Sequence, residues 1–197
     1  MKKQTLKDSS LKRERFQTKK STKEQAGLGT FFEILFKSVQ GYIEIRTIRK
    51  GQVKQYFYSD LKKLTQDLTS DLPKFKDTNV FFGVCPRNQK QGKEKNIKEV
   101  SCVWIDLDCH NDRERIEKLR SLKRFNLRPS IIVNSGRGFH IYWLLDKVFI
   151  IRDQEEKEII KGYVKGLSKV LGGDSTFDLA RVLRVPGTIN LKEPENP

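Results

Sequence analysis

Residues Trp104-Ile105-Asp106-Leu107-Asp108 place two carboxylates one strand repeat apart at the end of an apolar run. Alternate residues of a strand share a face, so Trp104, Asp106 and Asp108 are expected on one side and Val103, Ile105 and Leu107 in the core. Paired carboxylates are hard oxygen donors suited to a divalent cation that keeps some waters and takes substrate phosphates as further ligands. Two solvated acids at a strand end would look the same. The second group is Ser135-Gly136-Arg137-Gly138-Phe139-His140. Its glycines predict a tight turn whose backbone N–H groups could cradle an anion, with Arg137 as a charged fork for phosphate. The alternative is a plain glycine-rich hairpin carrying a surface arginine and a packed histidine. No Gly-Lys-Ser/Thr follows, which excludes a P-loop, and the dinucleotide fingerprint is also missing. The third group runs from Asp174 through Asp178, Arg181, Arg184, Pro186-Gly187-Thr188 and Asn190 to Lys192. Asp174 could be a helix-end turn residue, and Asp178 could cap a turn and pair with Arg181. In a functional reading the arginines meet phosphates while one of the two acids completes a metal site.

The elements that must carry these groups are readable from periodicity. Thr30-Phe-Phe-Glu33 is a capping box, with Phe31, Ile34, Leu35 and Val39 following at helical spacing. Tyr42–Arg49 and Gln52–Tyr58 alternate around Lys50-Gly51 and predict a hairpin. Ser59 opens a helix with Leu61, Leu64, Leu68 and Leu72 on one face, ended by Pro73. Strands are expected at Asn79–Val84, Val100–Leu107, Ser130–Asn134, Phe139–Leu145 and Arg181–Val185. A charged helix capped by Asn111 or Asp112 should bury Ile116, Leu119 and Leu122. A second helix opens at Asp153-Gln-Glu-Glu156, buries Ile159, Ile160, Tyr163, Val164, Leu167, Val170 and Leu171, and ends at Gly172-Gly173. Gly162 and Gly166 within it suggest the close approach of another backbone. The order β-α-β-β-α-β resembles a split βαβ sheet with its helices on one face.

The chain has 197 residues, with 40 Lys and Arg against 25 Asp and Glu, a net charge of +15. That length supports one sizeable core or two small lobes sharing a cleft. No run approaches the roughly 20 apolar residues of a membrane helix, and Met-Lys-Lys followed by polar residues is no secretory signal. Cys85, Cys102 and Cys109 are too few for a disulfide framework and point to a reducing, cytoplasmic setting. They read as packing thiols more readily than as a metal set with His110. The positive surplus favours a polyanionic partner. It is concentrated in Met1–Glu24, with nine basic and three acidic residues, and in Arg113–Arg128, with seven and two.

Taken in order, Asp-x-Asp, then Ser-Gly-Arg-Gly-x-His, then Asp…Arg-x-x-Arg-x-Pro-Gly-Thr-x-Asn-x-Lys resembles the three motifs of the archaeo-eukaryotic primase (AEP) superfamily. The likeness is closest to the small primase-polymerases (PrimPols) of plasmids, viruses and CRISPR-linked loci. Phe81-Phe82-Gly83-Val84-Cys85-Pro86-Arg87 also looks like that group; the family's zinc-binding element is not evident. The resemblance implies an α+β fold: an AEP catalytic core with an RRM-like (split βαβ), antiparallel or mixed sheet packed against helices, preceded by a smaller α/β N-terminal lobe. On that basis residues 1–26 are expected to be a basic arm and 27–192 the catalytic domain, divided into 27–99 and 100–192, with 193–197 starting a linker. It further implies template-dependent nucleotidyl transfer, in which a 3′-hydroxyl attacks the α-phosphate of an NTP or dNTP with two Mg²⁺ or Mn²⁺ ions. Asp106, Asp108 and Asp174 would be the catalytic metal ligands, with Asp178 the alternative third. Ser135, Arg137, Gly138, His140, Arg181, Arg184 and Lys192 would bind the nucleotide. Arg87, Arg113, Lys118, Arg120, Lys123 and Arg124 would bind a single-stranded DNA template and primer. The expected protein is a monomer without membrane attachment, whose partners are further domains or replication or CRISPR adaptation proteins. A metal-dependent nuclease, or a non-catalytic nucleic-acid-binding module on the same scaffold, are the rival readings.

Overall fold

The computed structural model describes residues 27–174 and 177–191. The basic arm and Lys192 lie outside the described residues. Helix α1 covers residues 27–36. The hairpin β1 (Ile43–Arg49) and β2 (Gln52–Tyr58) follows, then α2 (Leu61–Asp71) with a 3₁₀ turn at Leu72–Phe75, and β3 (Asn79–Gly83). After β4 (Glu99–Asp108) come α3 (Asp112–Arg124), β5 (Ile131–Asn134), β6 (Gly138–Ile150), α4 (Gln154–Leu171) and β7 (Val182–Arg184). Every strand pairing is antiparallel, in two sheets ordered β2-β1-β3-β7 and β4-β6-β5. The chain is thus α+β, as expected. The last strand does not extend the second sheet but returns to the first, where Phe81 pairs with Arg184 and Gly83 with Val182.

Local chemistry explains most of these boundaries. Asn111 caps α3 by accepting the Glu114 N–H at 2.9 Å. At α4, the N-cap Asp153 accepts the Glu156 N–H, while Glu156 accepts the N–H of Arg152, the residue before the cap. Gly172 ends α4 in the left-handed region at φ 70°. Helix α1 is already formed at residue 27, so Thr30 lies inside it and does not cap it. Its core face is Leu28, Phe31, Phe32, Leu35 and Phe36, whereas Ile34 is exposed.

Phe31 joins the two sheets. Its ring meets Phe82 of β3 edge-on at 5.4 Å and Tyr142 of β6 at 5.8 Å. Each such aromatic buries about 2–3 kcal/mol of apolar contact, so α1 locks the sheets at a fixed separation. On the far side of the second sheet α4 contributes only Ile160, Val164, Ser168 and Leu171 to the buried set, and α3 only Leu122. Ile116, Leu119, Ile159, Tyr163 and Val170, expected inside, are exposed. Gly162 and Gly166 have nothing within 4 Å of a would-be Cβ, so no neighbouring backbone among the described residues approaches them. No helix among the described residues is long and apolar enough to cross a membrane.

Candidate active site

Cross-strand register brings the first two motifs together. Asp106 lies opposite His140, and Asp108 opposite Gly138, while Leu107 pairs with Phe139 and Ile105 with Ile141. The acids and the histidine therefore share the face that looks toward the first sheet, and Leu107, Phe139, Ile105 and Ile141 face α3 and α4. Trp104 shares the acidic face but is buried, so that face is wet only from Asp106 onward. The close closure of β6 on β4 requires glycine at 138, because a Cβ there would stand 1.7 Å from the Leu107 carbonyl oxygen. The turn before it holds Gly136 at φ 88°. The Ser135 N–H donates to the Gly138 carbonyl at 3.1 Å, and the Gly136 N–H donates to Asn134 Oδ1 at 2.9 Å. Those two N–H groups stabilise the turn itself. Neither of these two N–H groups is therefore left for the expected backbone cradle.

The third motif arrives because the chain after α4 runs back along β4. The Asp174 N–H donates to the Asp106 carbonyl at 2.9 Å. The Asp174 carboxylate then meets Arg181 (Oδ2–Nη2 2.9 Å), and the same Nη2 lies 3.4 Å from Asp106 Oδ2. Asp178 does something else: its Oδ1 accepts the Ala180 N–H at 2.8 Å, a turn within the loop before β7. Asp106, Asp108, Asp174, His140, Arg137, Arg181 and Arg184 line one cavity of about 370 Å³ between the sheets. A second cavity of about 220 Å³ adjoins it through Ser135, His140 and Arg184. The combined space is in the range of small-ligand sites.

The electrostatics are strained in a specific way. Burial, then the like charges of Asp108 and Asp174, push Asp106 up to about 6 against the opposing pull of Arg181. His140 is almost fully buried and is driven down to about 3, by burial first and then by Arg184 and Arg181, so it is neutral at pH 7. Its Nε2 stands 3.6 Å from Asp106 Oδ1, and its Nδ1 is buried with no hydrogen-bond partner among the described residues. Arg184 is held rather than free to swing: Nη1 donates to the Ile189 carbonyl at 2.7 Å and Nη2 to Asn79 and Asn190 Oδ1 at 3.0 Å, over the Phe81 ring.

Among the described residues no three His, Cys, Asp or Glu side chains are gathered closely enough, as they stand, to hold a metal ion. The chemistry of the donor set nonetheless suits one. The set is all carboxylate, it lines a single cavity, and Asp106 is charged only at a cost that a cation would relieve.

Several expected contacts fall elsewhere. Arg87, expected on nucleic acid, is fully buried, pairs with Glu44 at 2.9 Å and donates to the Cys85 and Ala180 carbonyls. A surface for nucleic acid cannot include it. Arg113, Arg120, Lys123 and Arg124 are exposed on α3, in the layer across the second sheet from the acids. Lys118 reaches back to the Asp108 carbonyl. Arg115, which periodicity did not single out, stacks on Phe139 at 4.4 Å and approaches the Gly136 carbonyl at 3.5 Å. Asn190 stood in the third motif without a role and Asn79 was missed; both hold Arg184.

No family model matches the chain. A replication protein of Clostridium perfringens is 30% identical over 162 residues, 78% of this chain but 37% of that protein. RepS of Streptococcus pyogenes is 24% identical over 113 residues, 52% of this chain and 23% of its own length. The chain thus spans well under half the length of these curated relatives. Among solved structures, the AEP domain of the cyanophage S-2L primase-polymerase superposes with a TM-score of 0.60 at 16% identity, covering 85% of this chain and 84% of that one. The catalytic domain of primase RepB′, solved in complex with initiator DNA, gives 0.60 at 14% identity over 88% and 81%. By this likeness the chain shares the fold of the AEP domain of that primase-polymerase and of the RepB′ catalytic domain.

Proposed function

We propose that this chain is the nucleotidyltransferase domain of a replication protein, extending a primer 3′-hydroxyl on a DNA template with an NTP or dNTP and releasing pyrophosphate. The observation that carries the reading is the shared cavity in which Asp106, Asp108 and Asp174 face Arg137, Arg181 and Arg184. Acids and arginines line one cavity of small-ligand size, which suits a reaction whose catalysis is mostly positioning and charge stabilisation. The replication-protein relatives favour a replicative setting. Asp106, Asp108 and Asp174 would hold Mg²⁺ or Mn²⁺, which when bound supplies Lewis-acid stabilisation of the phosphoryl oxygens. Arg184, fixed by Asn79 and Asn190, would present a constant positive charge to the triphosphate. Neutral His140 would orient a phosphate oxygen by a hydrogen bond without adding charge. The exposed bases of α3 would supply a positive field for the template.

Incubation of the full chain with labelled primer–template, Mn²⁺ and nucleotides tests this. Lengthening that requires nucleotides, and that is lost in Asp106→Asn, is the expected result. Shortening of the primer with Mn²⁺ alone would assign the site to phosphodiester hydrolysis instead.

A further inference from the structure

We propose that Arg181 is an exchangeable counter-cation of the acid cluster, occupying the position between Asp106 and Asp174 that a divalent ion must take. The inference rests on the reading of the three acids as metal ligands.

The geometry is unusual for a structural ion pair. An arginine that serves only to brace a carboxylate tends to lie on it with two nitrogens in parallel. Here a single nitrogen, Nη2, is shared by two carboxylates from different elements, 2.9 Å from Asp174 and 3.4 Å from Asp106. One positive centre between two acids is the arrangement of an ion site. The backbone of Arg181 is anchored independently of that contact. Its carbonyl accepts the Val84 N–H at 3.1 Å, and its N–H donates to the Asp178 carbonyl at 3.0 Å. The preceding Ala180 carbonyl is gripped by the buried Arg87 at 2.9 Å. The side chain can therefore leave the acids without moving β7.

Competition follows from the charges. A divalent ion and the guanidinium seek the same oxygens, so each weakens the other. A guanidinium between the acids also explains why they do not already close into an ion cage. Exchange makes ion binding weaker in the wild type than the bare acids would allow, and the coupling between the two cations is reciprocal.

Mn²⁺ binding to the full chain, followed without nucleotide by the electron paramagnetic resonance of free Mn²⁺, decides the matter. Arg181→Gln should bind Mn²⁺ tighter than wild type by about fivefold or more, within the usual span of coupled sites. Equal or weaker binding to Arg181→Gln, with saturable binding to wild type, would overturn the exchange and leave the metal reading standing. No saturable binding by either protein would overturn both. Near-UV circular dichroism checks that the variant is folded. Should it not fold, the Nε–H resonance of Arg181 in ¹⁵N-labelled wild type reads the same event. It should shift and saturate as Mg²⁺ is added, and a resonance unchanged through the titration would overturn the proposal.

Discussion

Asp106 and His140 face each other across one strand pair and are perturbed in ways that oppose each other with pH. Asp106 is raised to about 6, so the folded chain holds its proton more tightly than the unfolded chain does. Its contribution favours folding below the unfolded value near 4 and is lost as pH rises through 6. At pH 7.5 the ionised carboxylate is therefore a liability on the order of 1–3 kcal/mol. Asp106→Asn should raise the melting temperature at pH 7.5 without divalent ions, converge with wild type near pH 4, and abolish primer extension. A variant less stable than wild type at pH 7.5 would show that Arg181 outweighs the burial cost. His140 has the opposite sign. Its folded value near 3 lies below the ordinary one, so its stabilisation is complete above pH 6.5 and is lost as pH falls toward 3. His140→Gln should escape about 2 kcal/mol of the loss that wild type suffers between pH 7.5 and pH 5. Parallel urea-melt midpoints for the two proteins over that interval would place the imidazole in solvent.

At the scale of elements, the site depends on the loop before β7 being held against β1 and β3. The strut is Glu44, its carboxylate shared by Arg87 at 2.9 Å, Arg46 at 2.6 Å and Gln55 at 2.7 Å. Burial pushes the Glu44 carboxyl up, but the Gln55 hydrogen bond and the Arg87 and Arg46 charges outweigh it and hold it below the usual range. Arg87→Met should cost about 2–3 kcal/mol of unfolding free energy, because Glu44 Oε2 and the Cys85 and Ala180 carbonyls lose a buried donor while Arg46 and Gln55 still hold Oε1. A urea-melt difference under about 1 kcal/mol would mean that the pair contributes little. This strut also marks where sequence reading stops. Asp106 and Asp108 were legible because strand period is local, and both helix caps because capping is local. Arg87 was not, since Cys-Pro-Arg looks like an exposed loop end until Glu44, 43 residues earlier, closes on it. The buried faces of α3 and α4 were over-read for a related reason. Periodicity reports which residues share a face, but not whether a neighbour covers it, and only Leu122 of the α3 stripe is covered. β7 likewise carried no signal of which sheet edge it would join.

For the whole molecule, the net charge is +15, and among the described residues the exposed α3 bases and the acids lie in different layers. Two ways of using those bases give different salt signatures. A template in direct contact with Arg120, Lys123 and Arg124 would lose about 0.7 of its log–log salt slope for each phosphate contact removed when they are replaced. Bases that act through their field, with the DNA running along the cleft on the other side of the sheet, are screened beyond a Debye length of about 8–10 Å near physiological salt. The layer arrangement favours the second. Binding of single-stranded DNA by wild type should fall steeply with salt, since each neutralised phosphate contributes a slope of about −0.7 in log–log terms. Replacing Arg120, Lys123 and Arg124 together by Gln should weaken binding several-fold at 50 mM salt and little at 200 mM, as these bases carry much of their effect at low screening. Fluorescence anisotropy at the two concentrations makes the comparison. A log–log salt slope shallower than that of wild type by about 2, the sum for three lost phosphate contacts, would put the template on α3 itself and move the DNA path to the helical side of the second sheet. The cleft would then have to be reached from the strand ends at Asp108 and Gly138, the point where α3 already touches the site through Lys118 and Arg115.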